Sequence, residues 1–269
     1  MNIDKELLQI NIELAKNPTC QHLKTIKATL LNNKALGLFN KNKGNEALKL
    51  INQAIELAQT SALFSSKSNV LFKMNKYDES MECANKALEL DPENPKAKDM
   101  VVINLNNKQM VECEKGNFDE ALKLLSKAIQ LKPEDKSLVC NKALILSYLE
   151  RYDEAIVEVD KCLVMDESFY NAKVVKAAIV HKLSLNDFEK DDYEAALEKI
   201  NQAIELKNNE ATYLINKSSC LIKLKRYEEA IEFADKALAL EKTNKDAAHL
   251  RFIANDHIIK ASRAKLVSN

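Results

Sequence analysis

The residues able to do chemistry in this chain are four histidines, six cysteines, a few acidic pairs and a recurring amide-plus-lysine tripeptide. His22, His181, His249 and His257 are scattered. The last two, eight residues apart, miss the i,i+4 spacing that sets two metal ligands on one helix face. Cys20, Cys83, Cys113, Cys140, Cys162 and Cys220 contain no CxxC pair, so neither a zinc site nor a disulfide framework is expected. Cys162 stands where other copies of a repeat place alanine, and reads as a buried small hydrophobe. Asp191-Asp192 and Glu228-Glu229 sit where helices begin, the place the helix dipole favours acids. No phosphate loop, dinucleotide glycine motif, Gly-x-Ser-x-Gly elbow or HExxH sequence occurs. No catalytic residue, metal site or cofactor is therefore expected, and the chain does not read as an enzyme.

The tripeptide is the more informative signal. It occurs as Asn33-Lys34-Ala35, Ser66-Lys67-Ser68, Asn141-Lys142-Ala143 and Asn216-Lys217-Ser218. A carboxamide donates and accepts at once, so it can hold a peptide backbone without reading its side chains. Seven residues after these positions come Asn40, Lys73, Tyr148 and Lys223. Asn107 and Lys182 extend the two rows, in a register that depends on how longer repeats are counted.

These residues need elements to carry them, and internal similarity supplies the elements. Ile51-Asn52-Gln53-Ala54-Ile55-Glu56-Leu57 returns as Ile200-Asn201-Gln202-Ala203-Ile204-Glu205-Leu206. Small residues recur at Ala47, Ser80, Ala121, Ala155, Ala196 and Ala230, each followed seven residues later by Ala54, Ala87, Ala128, Cys162, Ala203 and Ala237. Seven residues is nearly two helical turns, so each pair faces one way and lets a neighbouring helix approach closely. Tyr77, Phe118, Tyr152, Tyr193 and Tyr227 mark the turn into this helix, with Gly44 in the first copy. Pro92 and Pro133 close two of its endings.

The intervals between the small residues run 33, 41, 34, 41 and 34, so short and long repeats alternate in units of about 75 residues. The extra seven residues precede the second helix and lengthen the first helix by about two turns, or the connection after it. Segments 21–40 and 96–115 read as long helices, whereas Ser184-Leu185-Asn186-Asp187 reads as a break. Residues 3–16, with Ile3, Leu7, Ile10 and Leu14 on one face, read as an N-terminal cap. Residues 245–266 read as a closing helix carrying Leu250, Ile253 and Ile258 and a basic end at Lys260, Arg263 and Lys265.

Composition agrees with a helical stack. The 269 residues hold 3 Gly, 4 Pro and no Trp, while 40 basic residues balance 40 acidic ones. So few glycines argue against folds that rely on turns with positive φ, and neutrality removes the basic footprint of a nucleic-acid binder. The start, Met1-Asn2-Ile3-Asp4-Lys5-Glu6, lacks the apolar run of a secretory leader, and no stretch is apolar enough to span a bilayer. A cytoplasmic chain without membrane insertion is expected.

The pattern resembles the tetratricopeptide repeat, a helix–turn–helix unit. The clearest copy runs from Ser61 to Asn94 and carries the family's marks at Phe64, Ser68, Leu71, Tyr77, Ser80, Ala84, Ala87 and Pro92. The resemblance covers about residues 21–244 and implies an all-α, right-handed superhelical solenoid of six repeats: 21–60, 61–94, 95–135, 136–169, 170–210 and 211–244. Capping helices occupy 1–20 and 245–269. It further implies a non-catalytic protein–protein adaptor binding an extended peptide or helix in a groove of first helices. There Asn33, Asn141 and Asn216 hold backbone, and Lys73 and Lys223 favour acidic side chains. The family's basic clamp for chaperone C-termini is missing, since the corresponding positions read Ala62, Ser65, Ser137, Cys140, Thr212 and Ile215. A second partner surface is expected where the long repeats turn, at Leu38 and Phe39, Met110 and Val111, and Leu185 and Phe188. The alternative role is a structural subunit of a large assembly, held through its edges and caps.

Overall fold

The computed structural model describes residues 3–267, and among them regular structure is entirely helical. The chain divides into two compact units, Met1–Pro133 and Glu134–Asn269. The first holds α1 (Ile3–Lys16), α2 (Gln21–Phe39), α3 (Gly44–Leu57), α4 (Ser61–Lys73), α5 (Tyr77–Leu90), α6 (Pro95–Glu114) and α7 (Phe118–Leu131). The second holds α8 (Lys136–Tyr148), α9 (Tyr152–Met165), α10 (Tyr170–Glu189), α11 (Tyr193–Leu206), α12 (Ala211–Lys223), α13 (Tyr227–Leu240) and α14 (Lys245–Val267). α1 and α14 coincide with the two segments expected as caps; the side chain of Lys265 lies outside the described residues.

In each unit the helices pair as hairpins, α2 with α3, α4 with α5 and α6 with α7, then α8 with α9, α10 with α11 and α12 with α13. Every second helix has 14 residues. The first helices are either 13 residues (α4, α8, α12) or 19 to 20 (α2, α6, α10). The seven additional residues of the long repeats therefore extend the first helix. This corrects the reading of 184–187 as a break, because α10 runs through it unbroken. Two of its polar residues have partners: buried Ser184 donates its hydroxyl to the carbonyl of His181 at 2.7 Å, and Asp187 pairs with Lys199 of α11. Tertiary contacts override the weak local preference.

The turns between paired helices hold a second correction. Each contains one residue in the left-handed region: Asn42, Asn75, Gly116, Glu150, Asp191 and Lys225, with φ from 58° to 78°. Only one of them is glycine. A scarcity of glycine thus does not exclude positive-φ turns here, because the other five accept the steric cost of that conformation.

The small residues lie at the centre of the packing. Ala47, Ser80, Ala121, Ala155, Ala196 and Ala230, their partners Ala54, Ala87, Ala128, Cys162, Ala203 and Ala237, and the intervening Ile51, Ala84, Leu125, Val159, Ile200 and Ala234 are all 0% exposed. Where serine replaces alanine, its hydroxyl is used. Ser68 and Ser80 each donate to the other's backbone carbonyl at 2.8 Å, and Ser218 donates to the carbonyl of Ala230 at 2.8 Å. In the first repeat Met74 covers the place of the missing aromatic: a Cβ on Gly44 would lie 2.9 Å from its sulfur. Cys140 and Cys162 face each other within the α8–α9 hairpin as buried thiols, although neither their spacing nor any motif announces the pair.

Candidate peptide-binding faces

The third residue of each tripeptide is fully buried, Ala35, Ser68, Ala143 and Ser218 all being 0% exposed, which fixes the two residues before it near the hairpin's outer edge. Three of the four middle lysines are spent on the fold. Lys34 pairs with Asp4 of α1 at 2.6 Å, Lys142 with Glu158 at 2.8 Å, and Lys217 lies 3.8 Å above the ring of Phe233. That leaves Lys67 and the residues that precede the lysines, Asn33, Ser66, Asn141 and Asn216, as candidates for recognition.

In the first unit, α2, α4 and α6 together line a depression of about 300 Å³. Leu36, Met100 and Ile103 give it apolar walls; Ser65, Ser66, Asn69, Lys96 and Asp99 give it hydrogen-bonding and charged groups. Asn33, exposed on α2, precedes Leu36 by one turn, and Lys73, exposed on α4, follows Asn69 by one turn. Neither expected residue lines the depression itself; each lies one helical turn from a residue that does. Ser65 sits at one of the missing clamp positions, and its hydroxyl is occupied by the carbonyl of Ser61 at 2.8 Å. Sequence reasoning did not single out Asn69, Asp99 or Ile103. The signal was present for Asn69, which lies three residues after Ser66 on the same row. Asn107 does not join this face. Counted backward from Ala121 it falls into register, yet α6 meets α4 through residues nearer its start, and Asn107 lines a different cavity between α5, α6 and α7.

In the second unit Asn141 is half-buried on α8 and Asn216 half-buried on α12. Asn216 Nδ2 lies 2.6 Å from Nε2 of His181 on α10, and the His181 ring packs against Tyr213 with centroids 4.7 Å apart. Burial is the main cause that holds the His181 pKa below its ordinary 6.5, with Lys182 adding to it and Glu210 opposing. The imidazole is accordingly neutral and accepts the amide proton on Nε2. Beside this pair lies a small hollow of about 100 Å³ lined by Ser184, Leu185, Phe188, Asn216, Ser219 and Cys220. Lys223, exposed at the end of α12, sits 5.8 Å from the ring of Tyr193. His181 had no assigned role in the sequence; its partner is 35 residues away and only the packing of α10 on α12 brings the two together.

The apolar residues expected as a repeated exposed ridge do not share one environment. Met110 and Val111 are exposed, 54% and 39%. Leu38 and Phe39 pack against the core around Ile51 and Val70, Phe188 packs against the core around Ile200 and meets Tyr193 edge-on at 5.2 Å, and Leu185 lines the hollow beside Asn216. The correction has a simple cause. The long first helix keeps its last turns against its own second helix, so two of the three pairs are covered.

Among the described residues no three His, Cys, Asp or Glu side chains gather as a metal site, and no helix is long and apolar enough to cross a membrane.

Antiparallel helix pairs stacked through small buried residues define an all-α helical repeat protein of the solenoid class. The family model described as Tetratricopeptide repeat matches residues 62–94, 137–169 and 211–244. These three segments match as tetratricopeptide repeats, and they coincide with the three short repeats of the chain, where no inserted turns interrupt the spacing. No match was found among curated proteins. Among solved structures, the C-terminal part of a TPR repeat-containing protein from Cytophaga hutchinsonii is similar, with 18% identity, a TM-score of 0.56 and coverage of 93% of this chain and 94% of that one. The structure described as Naa15/Naa10 bound to HypK-THB is similar with 16% identity and a TM-score of 0.56, over 94% of this chain but 37% of that one. At these identities the likeness is one of fold. The fold is of the kind that serves protein–protein interaction or scaffolding.

Proposed function

We propose that the chain is a non-catalytic adaptor whose first-helix faces capture an extended segment of a protein partner. The observation that carries this reading is the depression in the first unit. Three successive first helices line it, with apolar walls for side chains and with Ser66 and Asn69 placed to meet a backbone. Asn33 at its side, and Asn141 and Asn216 on the second unit, act as further backbone partners; Lys73 and Lys223 favour acidic side chains nearby. With one amide hydrogen directed at His181, Asn216 offers its carbonyl oxygen and its second N–H.

A photo-crosslinker placed at Asn69, with the captured segment then synthesised and its affinity measured, tests the proposal. Replacing Asn33, Asn141 and Asn216 together by alanine is expected to weaken that peptide by at least about tenfold. Unchanged affinity sinks the assignment of the amides.

One observation favours the alternative, a structural subunit held through its caps. Leu8 and Ile12 on α1 are 63% and 46% exposed, and Phe252 and Ile259 on α14 are 68% and 49% exposed. Each pair shares one helix face. Stoichiometric crosslinks from Leu8 and Phe252, with none from Asn69, decide for the structural role.

A further inference from the structure

The last helix of the second unit is built as a first helix. α6, α10 and α14 begin at residues 95, 170 and 245, two equal steps of 75. The turn before each is closed the same way, by a backbone hydrogen bond from Asn94 to Asp91, from Phe169 to Asp166 and from Asn244 to Glu241, at 3.0 to 3.2 Å. Asn244 then caps α14 by accepting the Ala247 N–H at 3.0 Å, as Asn94 accepts that of Ala97 at 3.2 Å. Ala97, Ala172 and Ala247 are all 0% exposed. The ion pair between Arg251 of α14 and Asp235 of α13, at 3.0 Å, repeats at the same step the one between Lys176 of α10 and Asp160 of α9. α14 therefore docks on α13 as α10 docks on α9, with the same face inward.

The faces turned away from that contact differ. In α2, α6 and α10 the residues at the Phe252 position are Ala28, Val102 and Ala177, and those at the Ile259 position are Ala35, Gln109 and Ser184, none more than 7% exposed. The second helix of the hairpin covers this face: Ala28 shares a core with Ala54, Ala35 with Ala47 and Ile51, and Ala177 with Ala196 and Ala203. Phe252 and Ile259 are 68% and 49% exposed, with no second helix on them among the described residues. The hairpins of this chain show what fits such a face. Each second helix has 14 residues, and its two small residues meet these two positions, as Ser80 meets Ser68 and the Ala87 carbonyl meets Ser61. Each also opens with an acid in its first turn, beside the last turns of the first helix. There α14 carries Arg263, exposed and with no ion pair among the described residues. The α1 helix of a second copy does not suit the place. It begins 41 residues before α3, the same step that separates α5 from α7, and so sets Glu6 and Glu13 where the small residues stand. Two carboxylates would then be pressed onto Ile259 and Phe252.

We propose that α14 is the first helix of an incomplete repeat, and that a helix of another protein docks on it antiparallel, in the place of a second helix. The partner helix spans about four turns, sets small residues seven apart over Phe252 and Ile259, and opens with an acid toward Arg263. This surface is separate from the first-helix faces, and its test does not depend on whether those faces bind a peptide.

The test uses the full chain and a fluorescent synthetic peptide with the sequence of α11, Tyr193–Leu206, which has Ala196 and Ala203 seven apart and Glu194 in its first turn. Saturable binding of one peptide per chain is expected, with a gain of helical signal in circular dichroism. Phe252→Asp and Ile259→Asp, both at exposed positions, should each lower the affinity at least about tenfold while the chain keeps its own helicity. Ala203→Glu in the peptide, copying Glu13, should lose as much. Absence of saturable binding overturns the proposal, as does binding that survives both substitutions in the chain, since the peptide then sits elsewhere. Self-association of the chain that Phe252→Asp abolishes also overturns it, because a second copy then covers α14.

Discussion

Asn216 donates its side-chain amide to the unprotonated Nε2 of His181 across 2.6 Å, tying α12 to α10 on the first-helix face of the second unit. The bond sets the tautomer, placing the ring proton on Nδ1, and it sets the amide, directing Oδ1 to other donors. An imidazolium has no lone pair on Nε2, so protonation removes the bond and adds a charge against Tyr213 and beside Lys182.

The second unit is therefore expected to lose stability on acidification. His181 titrates below its ordinary 6.5 in the folded chain, so folding favours the neutral ring. Its contribution is complete above pH 6.5 and is lost as the pH falls from there through the folded-state pKa. Thermal unfolding followed from about pH 8 to about pH 5, in the native chain and in His181→Phe, isolates the effect. The native chain should lose more stability than the variant over this interval. A His181 resonance that titrates at or above 6.5 rules the explanation out.

The five non-glycine residues with positive φ make a second prediction. Glu150 and Lys225 adopt φ of 58° and 60° without the Asn or Asp side chain that tolerates this region. Glycine there removes a steric cost of about 1–2 kcal/mol and adds about 0.4–1 kcal/mol of unfolded-chain entropy. Glu150→Gly and Lys225→Gly are each expected to gain about 0.5–1 kcal/mol in urea denaturation. At Gly116, with φ of 78° and open space around its α-carbon, alanine should lose about 1 kcal/mol purely through backbone strain. A neutral result at all three positions means these turns relax.

Relations confined to one hairpin were legible in the amino-acid order; relations between hairpins were not. The small residues at seven-residue spacing, from Ala47 to Ala237, announce one helix face, and all of them are buried. The alternating intervals place the extra turns in α2, α6 and α10, since the second helix has constant length. Ser184 to Asp187 misled because serine, asparagine and aspartate prefer turns locally, while Asp187 finds Lys199 only after folding. Asn33 and Lys73 could be placed on helix rows, but the groove one turn from them also needs Met100 and Ile103 from the next repeat.

Thiol chemistry offers a third check. Burial pushes the Cys140 thiol up to about 12, with Cys162 beside it adding to the effect, and pushes Cys220 up to about 11. Cys162 is raised for the same reason, and its Sγ donates to the carbonyl of Lys136 at 3.1 Å. The thiolate is the reactive form, so these three should resist an aromatic disulfide reagent at neutral pH until the chain unfolds. Cys20 and Cys113, partly exposed, should react first, with Cys83 slower because burial raises it too. Rapid modification of Cys140 in the folded chain contradicts the packing of α8 on α9.

The small-residue positions give the most direct test of what holds the hairpins together. Ala121 in the first unit and Ala196 in the second are 0% exposed, each on a second helix facing its own first helix. A leucine at either site has nowhere to place its extra carbons, and separating the helices also opens the contacts of the apolar neighbours Leu125 and Ile200, themselves fully buried. Ala121→Leu and Ala196→Leu are each expected to lose about 1–3 kcal/mol. Ala261→Leu, on the exposed end of α14, should stay within about 0.5 kcal/mol of the parent. Hydrogen exchange should locate each loss: faster exchange in α6 and α7 for Ala121→Leu, and in α10 and α11 for Ala196→Leu. Equal effects of the buried and exposed substitutions mean that close approach at the small residues is not what stabilises the pairs.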